Sequence, residues 1–277
     1  HCGPHAEGTF TRTRVVEALD QAVAAGVTSI EIEGGEPFLY YPLMLETLRE
    51  AKVRGLKRGI VTNCYWATSE EDAGIWLEPL VEIGIDSLAV SDDAFHGSDD
   101  GDGPASRAFR AAVALGLPTS SIRIEQAGCK TDDKRDRGAA VIGGEVVLKG
   151  RAVDKLARDL PHMHYEQFVE CSQENLARPG RVHLDPFGNV FVCQGLSIGN
   201  LWERPLAEIM AGYDPEQHPI VGPLLAGGPA ELARRYGLPA GEEYASECHL
   251  CDLVRRDLAE HFPEELCPEQ VYGLTSS

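Results

Sequence analysis

Eight cysteines, at positions 2, 64, 129, 171, 193, 248, 251 and 267, are the residues of this 277-residue chain best suited to carry chemistry. Five of them fall after residue 170. Cys248-His249-Leu250-Cys251 is a CxxC pair, and two residues between thiolates let both sulfurs face one site, the spacing that suits metal binding. Cys193 closes the segment Gly188-Asn189-Val190-Phe191-Val192-Cys193, with Cys171 before it and Cys267 near the end of the chain. The spacing is not that of a small disulfide scaffold, and a chain of this length does not need one. Metal or redox chemistry in a reducing, cytoplasmic compartment is the expectation. All-sulfur sites serve zinc and iron-sulfur clusters alike, so both remain open at this point. Cys64 and Cys129 stand alone and read as small buried hydrophobes.

A second group of residues lies at the ends of strand-like runs. Gly34-Gly35-Glu36-Pro37 follows one such run. Two glycines at the carboxyl end of a parallel strand let backbone approach a ligand closely, and the carboxylate after them can accept hydrogen bonds from an ammonium group. Thr62-Asn63 and Ser91-Asp92 end two further runs, where helix capping or turn formation is the competing role. His96, Arg107, Arg123, His162 and His164 are weaker candidates, for which loop, surface or core-bridging roles compete.

These residues need a frame that brings strand ends together. Val15, Leu19 and Ala22 keep helical spacing up to Gly26, and residues 29–33 read as a strand. The cycle repeats as a helix over 42–54 and a strand at 59–62, then a helix capped by Thr68 with Glu71 and running to Ile83, and a strand at 86–90. A helix over 105–115, a strand at 121–124 and an apolar run at 145–148 complete the series. Strict alternation of helix and strand predicts parallel strands joined by crossover helices, as a barrel or a doubly wound sheet. After about residue 155 the rhythm breaks, and residues 182–184 and 190–192 flank the turn Asp185-Pro186-Phe187-Gly188-Asn189 as a hairpin.

Composition narrows the function classes. With 25 Lys+Arg against 44 Asp+Glu, the formal net charge is -19. That argues against nucleic acid or an anionic membrane as partner, because phosphate binding needs clustered cations. Hydrophobic residues at 43% are enough for a real core, and no apolar run approaches the roughly 20 residues that span a bilayer.

His1-Cys2, leading through Gly3-Pro4 into the first helix and followed at a plausible distance by Gly34-Gly35-Glu36-Pro37, resembles the radical S-adenosylmethionine (SAM) family. That family's signature is CxxxCxxC after the first barrel strand, with a GGE motif after the second. Cys2 matches the last signature cysteine; the other two and the first strand would precede His1, and the chain is expected to be a fragment. The tail, with Cys171, Gly188-x4-Cys193, Cys248-x2-Cys251 and Cys267, resembles the SPASM or shorter Twitch extension.

The resemblance implies a partial (β/α)6 TIM-like barrel over residues 1–155, without its first strand. A small α+β cluster-binding domain with a β-hairpin would follow over 165–277. It implies that Cys2 is a catalytic ligand of a SAM-binding 4Fe-4S cluster and that Gly34, Gly35 and Glu36 hold the methionine amino group. Thr62, Asn63, Ser91 and Asp92 would line the SAM pocket. An auxiliary 4Fe-4S cluster would sit on Cys171, Cys193, Cys248 and Cys251, with Cys267 able to replace one of them. Asp257 stands where a further cysteine of the full SPASM series would fall, which favours one auxiliary cluster over two. The implied activity is reductive cleavage of SAM to a 5'-deoxyadenosyl radical that abstracts hydrogen from a peptide or protein. An electron donor such as flavodoxin or ferredoxin is the expected partner. The rival reading is a non-catalytic, degenerate barrel that acts as a scaffold, with a structural zinc site in its tail.

Overall fold

The computed structural model describes residues 7–93, 102–125, 143–237 and 243–273. They fold as two compact units, one of residues 10–125 with 143–145 and the other of residues 7–9 with 146–273. The division falls at residue 145 rather than 155.

In the first unit, the Thr11 hydroxyl accepts from Arg14 N and starts α1 (Arg12–Ala24). Val15, Leu19 and Ala22 share one face of α1, and Val15 and Leu19 cluster with Ala51 and Leu56. The series continues as β1 (Ser29–Ile32), α2 (Tyr41–Val53), β2 (Lys57–Thr62), α3 (Glu70–Ile83), β3 (Ser87–Ser91), α4 (Pro104–Ala114), β4 (Thr119–Glu125) and the short β5 (Gly143–Glu145). All neighbouring strands pair in parallel, in the order β1-β2-β3-β4-β5. A doubly wound sheet reverses its strand order part-way, and this one does not. Consecutive right-handed crossovers in one direction put their helices on one face. Accordingly α1 packs on α2, α2 on α3 and α3 on α4. Leu48, Ile60, Leu77, Leu80 and Leu88 are fully buried between the helices and the sheet.

Two local expectations change. The cap of α3 is Ser69, whose hydroxyl accepts from Asp72 N. Thr68 instead bonds the Asp72 carboxylate. The apolar run at 145–148 is not a strand beyond Glu145: Lys149 N turns back to Val147 O, and Leu148 packs with Val153 and Ala157 of the second unit.

That second unit continues with α5 (Arg151–Leu156), β6 (Met163–His164), β7 (His183–Leu184), β8 (Asn189–Cys193), β9 (Leu196–Asn200), α6 (Leu206–Gly212), α7 (Val221–Arg235), β10 (Glu243–Tyr244) and α8 (Glu247–Leu258). The expected hairpin is β7-β8, with Asp185 accepting from Phe187 N and from both the backbone and side chain of Asn189. β9 adds a third antiparallel strand, and β6 pairs with β10. α7 breaks at Gly227–Gly228. Gly228 has φ +65°, and a Cβ there would lie 2.3 Å from the backbone of Val169 and Glu170. Only glycine lets α7 approach the segment leading to Cys171 so closely.

His218 fixes the start of α7: its Nδ1 accepts from Ile220 N and Val221 N, so its Nε2–H donates to Ser197 O at 3.0 Å. Burial lowers its pKa, against smaller opposing effects of Ser197 O and Glu265. A protonated ring would put a hydrogen where the two amides donate. The unfolded chain takes up this proton from about pH 6.5 downward while the folded site resists it. The stability this site contributes is therefore complete above about pH 6.5 and is lost as the pH falls toward the lower folded value. Urea denaturation at about pH 7.5 and 5.5 should show a larger loss in the wild type than in His218→Asn, which keeps an acceptor but does not titrate. Equal losses in both would contradict this role.

Candidate functional site

The carboxyl edge of the parallel sheet gathers several of the predicted residues. Gly34 and Gly35 are exposed at the end of β1, and Gly34 has φ +134° with open space where a Cβ would stand. Glu36, 6% exposed, turns inward. Its carboxylate accepts from Phe38 N at 3.1 Å, from the Thr62 hydroxyl at 2.8 Å and from Asn63 N at 2.7 Å. The Thr62 oxygen in turn accepts from Cys64 N and from the Trp66 indole, both at 3.0 Å. Phe38 stacks on Trp66 with centroids 4.2 Å apart. Glu36, Thr62 and Asn63 are thus one bonded group that ties the end of β1 to the end of β2. The surface this leaves for a ligand is the Gly34–Gly35 backbone.

The Asn63 side chain accepts from Tyr65 N. Val90 pairs with Thr62, so Ser91 and Asp92 follow at the same edge; Ser91 is buried, and Asp92 pairs with Arg123 at 2.7 Å. Arg107 donates to Ala67 O and Asp102 O, a loop-bridging role. Cys64 is buried, and burial together with the Glu36 charge pushes its thiol up to about 12, as befits a core residue. Cys2, His96 and Cys129 lie outside the described residues.

The second unit brings four other cysteines together. Cys171, Cys193, Cys248 and Cys251 line one small cavity with Lys149 and Arg255. Cys193 ends β8, and Cys171 follows the segment on which Gly228 packs. Cys248 and Cys251 lie near the start of α8, three residues apart on one face, behind the Ser246 cap that accepts from His249 N. α8 also sets the two cations. Its Asp252 accepts from Gly150 N and its Arg256 donates to Gly150 O, both at 3.0 Å, which holds the loop bearing Lys149. Arg255, 2% exposed, is itself a residue of α8.

The Lys149 ammonium lies 3.3 Å from Cys193 Sγ, and one Arg255 nitrogen lies 3.9 Å from the same sulfur. Arg255 also donates to Gln194 O at 3.0 Å and stands over the Tyr272 ring, while its Nε meets no acceptor. Burial opposes ionisation of Cys193, yet Lys149 and Arg255 outweigh it and lower its pKa. Burial pushes Cys171 and Cys248 up, and Cys251 to about 12. Burial works against the charge on Lys149 too, but the sulfurs of Cys193 and Cys248 raise its pKa overall.

The donor set suits a metal group: four cysteines, whose sulfurs bind metals as thiolates, line the cavity with two cations, both of which approach the Cys193 sulfur. Among the described residues, no group of three or more His, Cys, Asp or Glu side chains is arranged to hold a single metal ion. Cys267 does not line the cavity; it lies 3.5 Å from Glu264 O, and burial raises it to about 11. His249 Nδ1 accepts from Ala245 N, and His162 packs edge-on against its ring. His164 sits beside Glu166.

Lys149 and Arg255 escaped the sequence reading. Arg255 was detectable, since it stands seven residues after Cys248 and four after Cys251 on the same helical face. Lys149 follows an apolar run with nothing to mark it. No protein-family model matches the chain, and no curated protein matches it. No helix among the described residues is long and apolar enough to cross a membrane.

Replacing Glu36 by Ala should leave the Thr62 hydroxyl and two amides short of acceptors and cost about 2–4 kcal/mol by chemical denaturation, with Glu36→Gln costing less. A loss below about 0.5 kcal/mol for Glu36→Ala would show that the carboxylate is not a brace.

Proposed function

We propose that this chain belongs to a radical SAM enzyme whose C-terminal unit holds one auxiliary 4Fe-4S cluster on Cys171, Cys193, Cys248 and Cys251. One observation carries the reading: four cysteines from three separate stretches of chain face one cavity together with two cations. Four sulfurs serve zinc and iron-sulfur clusters alike, and the resemblance of the tail to the SPASM or Twitch extension favours the cluster. When bound, the catalytic 4Fe-4S cluster supplies the electron that cleaves SAM to methionine and a 5'-deoxyadenosyl radical.

The parallel sheet is read as a partial (β/α)6 barrel, supported by strand order without reversal and by helices packed in one layer. Its strand ends would form the SAM pocket, with the exposed Gly34–Gly35 backbone receiving the methionine amino group and Ser91 and Asp92 lining the adjacent edge. Glu36, Thr62 and Asn63 keep that edge in shape. Cys2 would be a ligand of the catalytic cluster, which requires the CxxxC half of the signature upstream in register. A peptide or protein is the proposed substrate, and a net charge of -19 favours a basic segment of it. A flavodoxin or ferredoxin would supply electrons.

The test is anaerobic incubation of the full gene product with SAM and dithionite, followed by chromatography for 5'-deoxyadenosine. Its formation, and its loss when Cys2 is replaced by Ala, is the expected result. A gene lacking the upstream cysteines, or a reduced protein that leaves SAM intact, would overturn the catalytic reading and favour the scaffold.

A further inference from the structure

Building on the iron-sulfur reading of the C-terminal cavity, we propose that Lys149 and Arg255 are positioning residues that act through Cys193 to raise the reduction potential of the auxiliary cluster. Both cations address the same sulfur, at 3.3 and 3.9 Å. Three carboxylates stand near them, and each is engaged elsewhere. Glu174 pairs with Arg181 at 3.3 Å, Asp252 pairs with Arg256 at 2.8 Å, and Glu247 accepts from the Ser172 hydroxyl. Glu174 and Asp252 add smaller electrostatic contributions to Lys149 and Arg255, but the one sulfur that both cations approach is that of Cys193.

Neither cation is a loose surface group. Arg255 is buried and held by Gln194 O and the Tyr272 ring, and Tyr272 donates in turn to Gly195 O at 2.6 Å. The Lys149 loop is clamped by Asp252 and Arg256. α8 thus carries two of the sulfurs, one cation and the clamp for the other. A cluster gains one negative charge when it takes up one electron. Hydrogen bonds and cations at its sulfurs stabilise that reduced form and raise its potential. The shorter contact belongs to Lys149, so its charge has the larger effect, with the Arg255 guanidinium adding to it at longer range.

The test is an EPR-monitored redox titration of the auxiliary cluster in the anaerobically purified chain and its Lys149 variants. Lys149→Met should make reduction at least tenfold less favourable, a shift of about 59 mV to lower potential for one electron. Lys149→Arg, which keeps the charge, should recover most of the difference. Should Lys149→Met fail to fold or to load, Lys149→Gln keeps a hydrogen-bond donor without the charge and should fall between Arg and Met. Iron-loaded wild type and neutral variants with the same potential would overturn the role of Lys149 while leaving the cluster in place. A wild type that holds zinc and no sulfide would overturn the cluster reading, and this inference with it.

Discussion

A guanidinium and an ammonium drawn against one sulfur form the contact on which the C-terminal unit turns. A cation taken out of water is costly unless an anion meets it, and the carboxylates nearby already have partners of their own. Lys149 and Arg255 therefore lower the Cys193 pKa in a place where burial alone would raise it. From that contact the rest of the unit follows. α8 must start where it does to bring Cys248, Cys251 and Arg255 to one face, the hairpin must deliver Cys193 from its last residue, and α7 must break at Gly228 to let the Cys171 segment close the cavity.

The parallel-sheet unit rests on a similar device of opposite sign. Glu36 is a carboxylate turned into the protein, and its charge is met by a hydroxyl and two amides from the ends of neighbouring elements. Such a group holds strand ends in a fixed relation while leaving the adjoining backbone exposed. In both units a polar side chain organises the local chain, at the candidate edge in one and at the candidate cavity in the other.

Much of this was legible in the sequence because it depends on short-range pattern. Leu48, Ile60, Leu77 and Leu88 declare themselves through helical spacing and apolar runs, and Gly26, Gly55 and Gly116 mark where helices stop. The CxxC pair is local too, although its place near the start of a helix behind Ser246 came only with the structure. Tertiary competition hid the rest. Leu148 belongs to an apolar run that looks like a strand, yet it packs with Val153 and Ala157 instead. Glu36 reads as a ligand group by type, but the Thr62 hydroxyl and Asn63 amide, 26 and 27 residues away, claim it. Cys267 shares the chemistry of its neighbours without sharing their cavity. Lys149 gains its meaning from a sulfur 44 residues distant, which no local pattern encodes.

The most direct measurement is the metal and acid-labile sulfide content of the anaerobically purified chain, beside its Cys193→Ala and Cys267→Ala variants. If the four thiols hold an iron-sulfur cluster, iron and sulfide occur in equal amounts, fall sharply with Cys193→Ala and survive Cys267→Ala. Zinc without sulfide, or iron that disappears with Cys267 and persists without Cys193, would contradict the account.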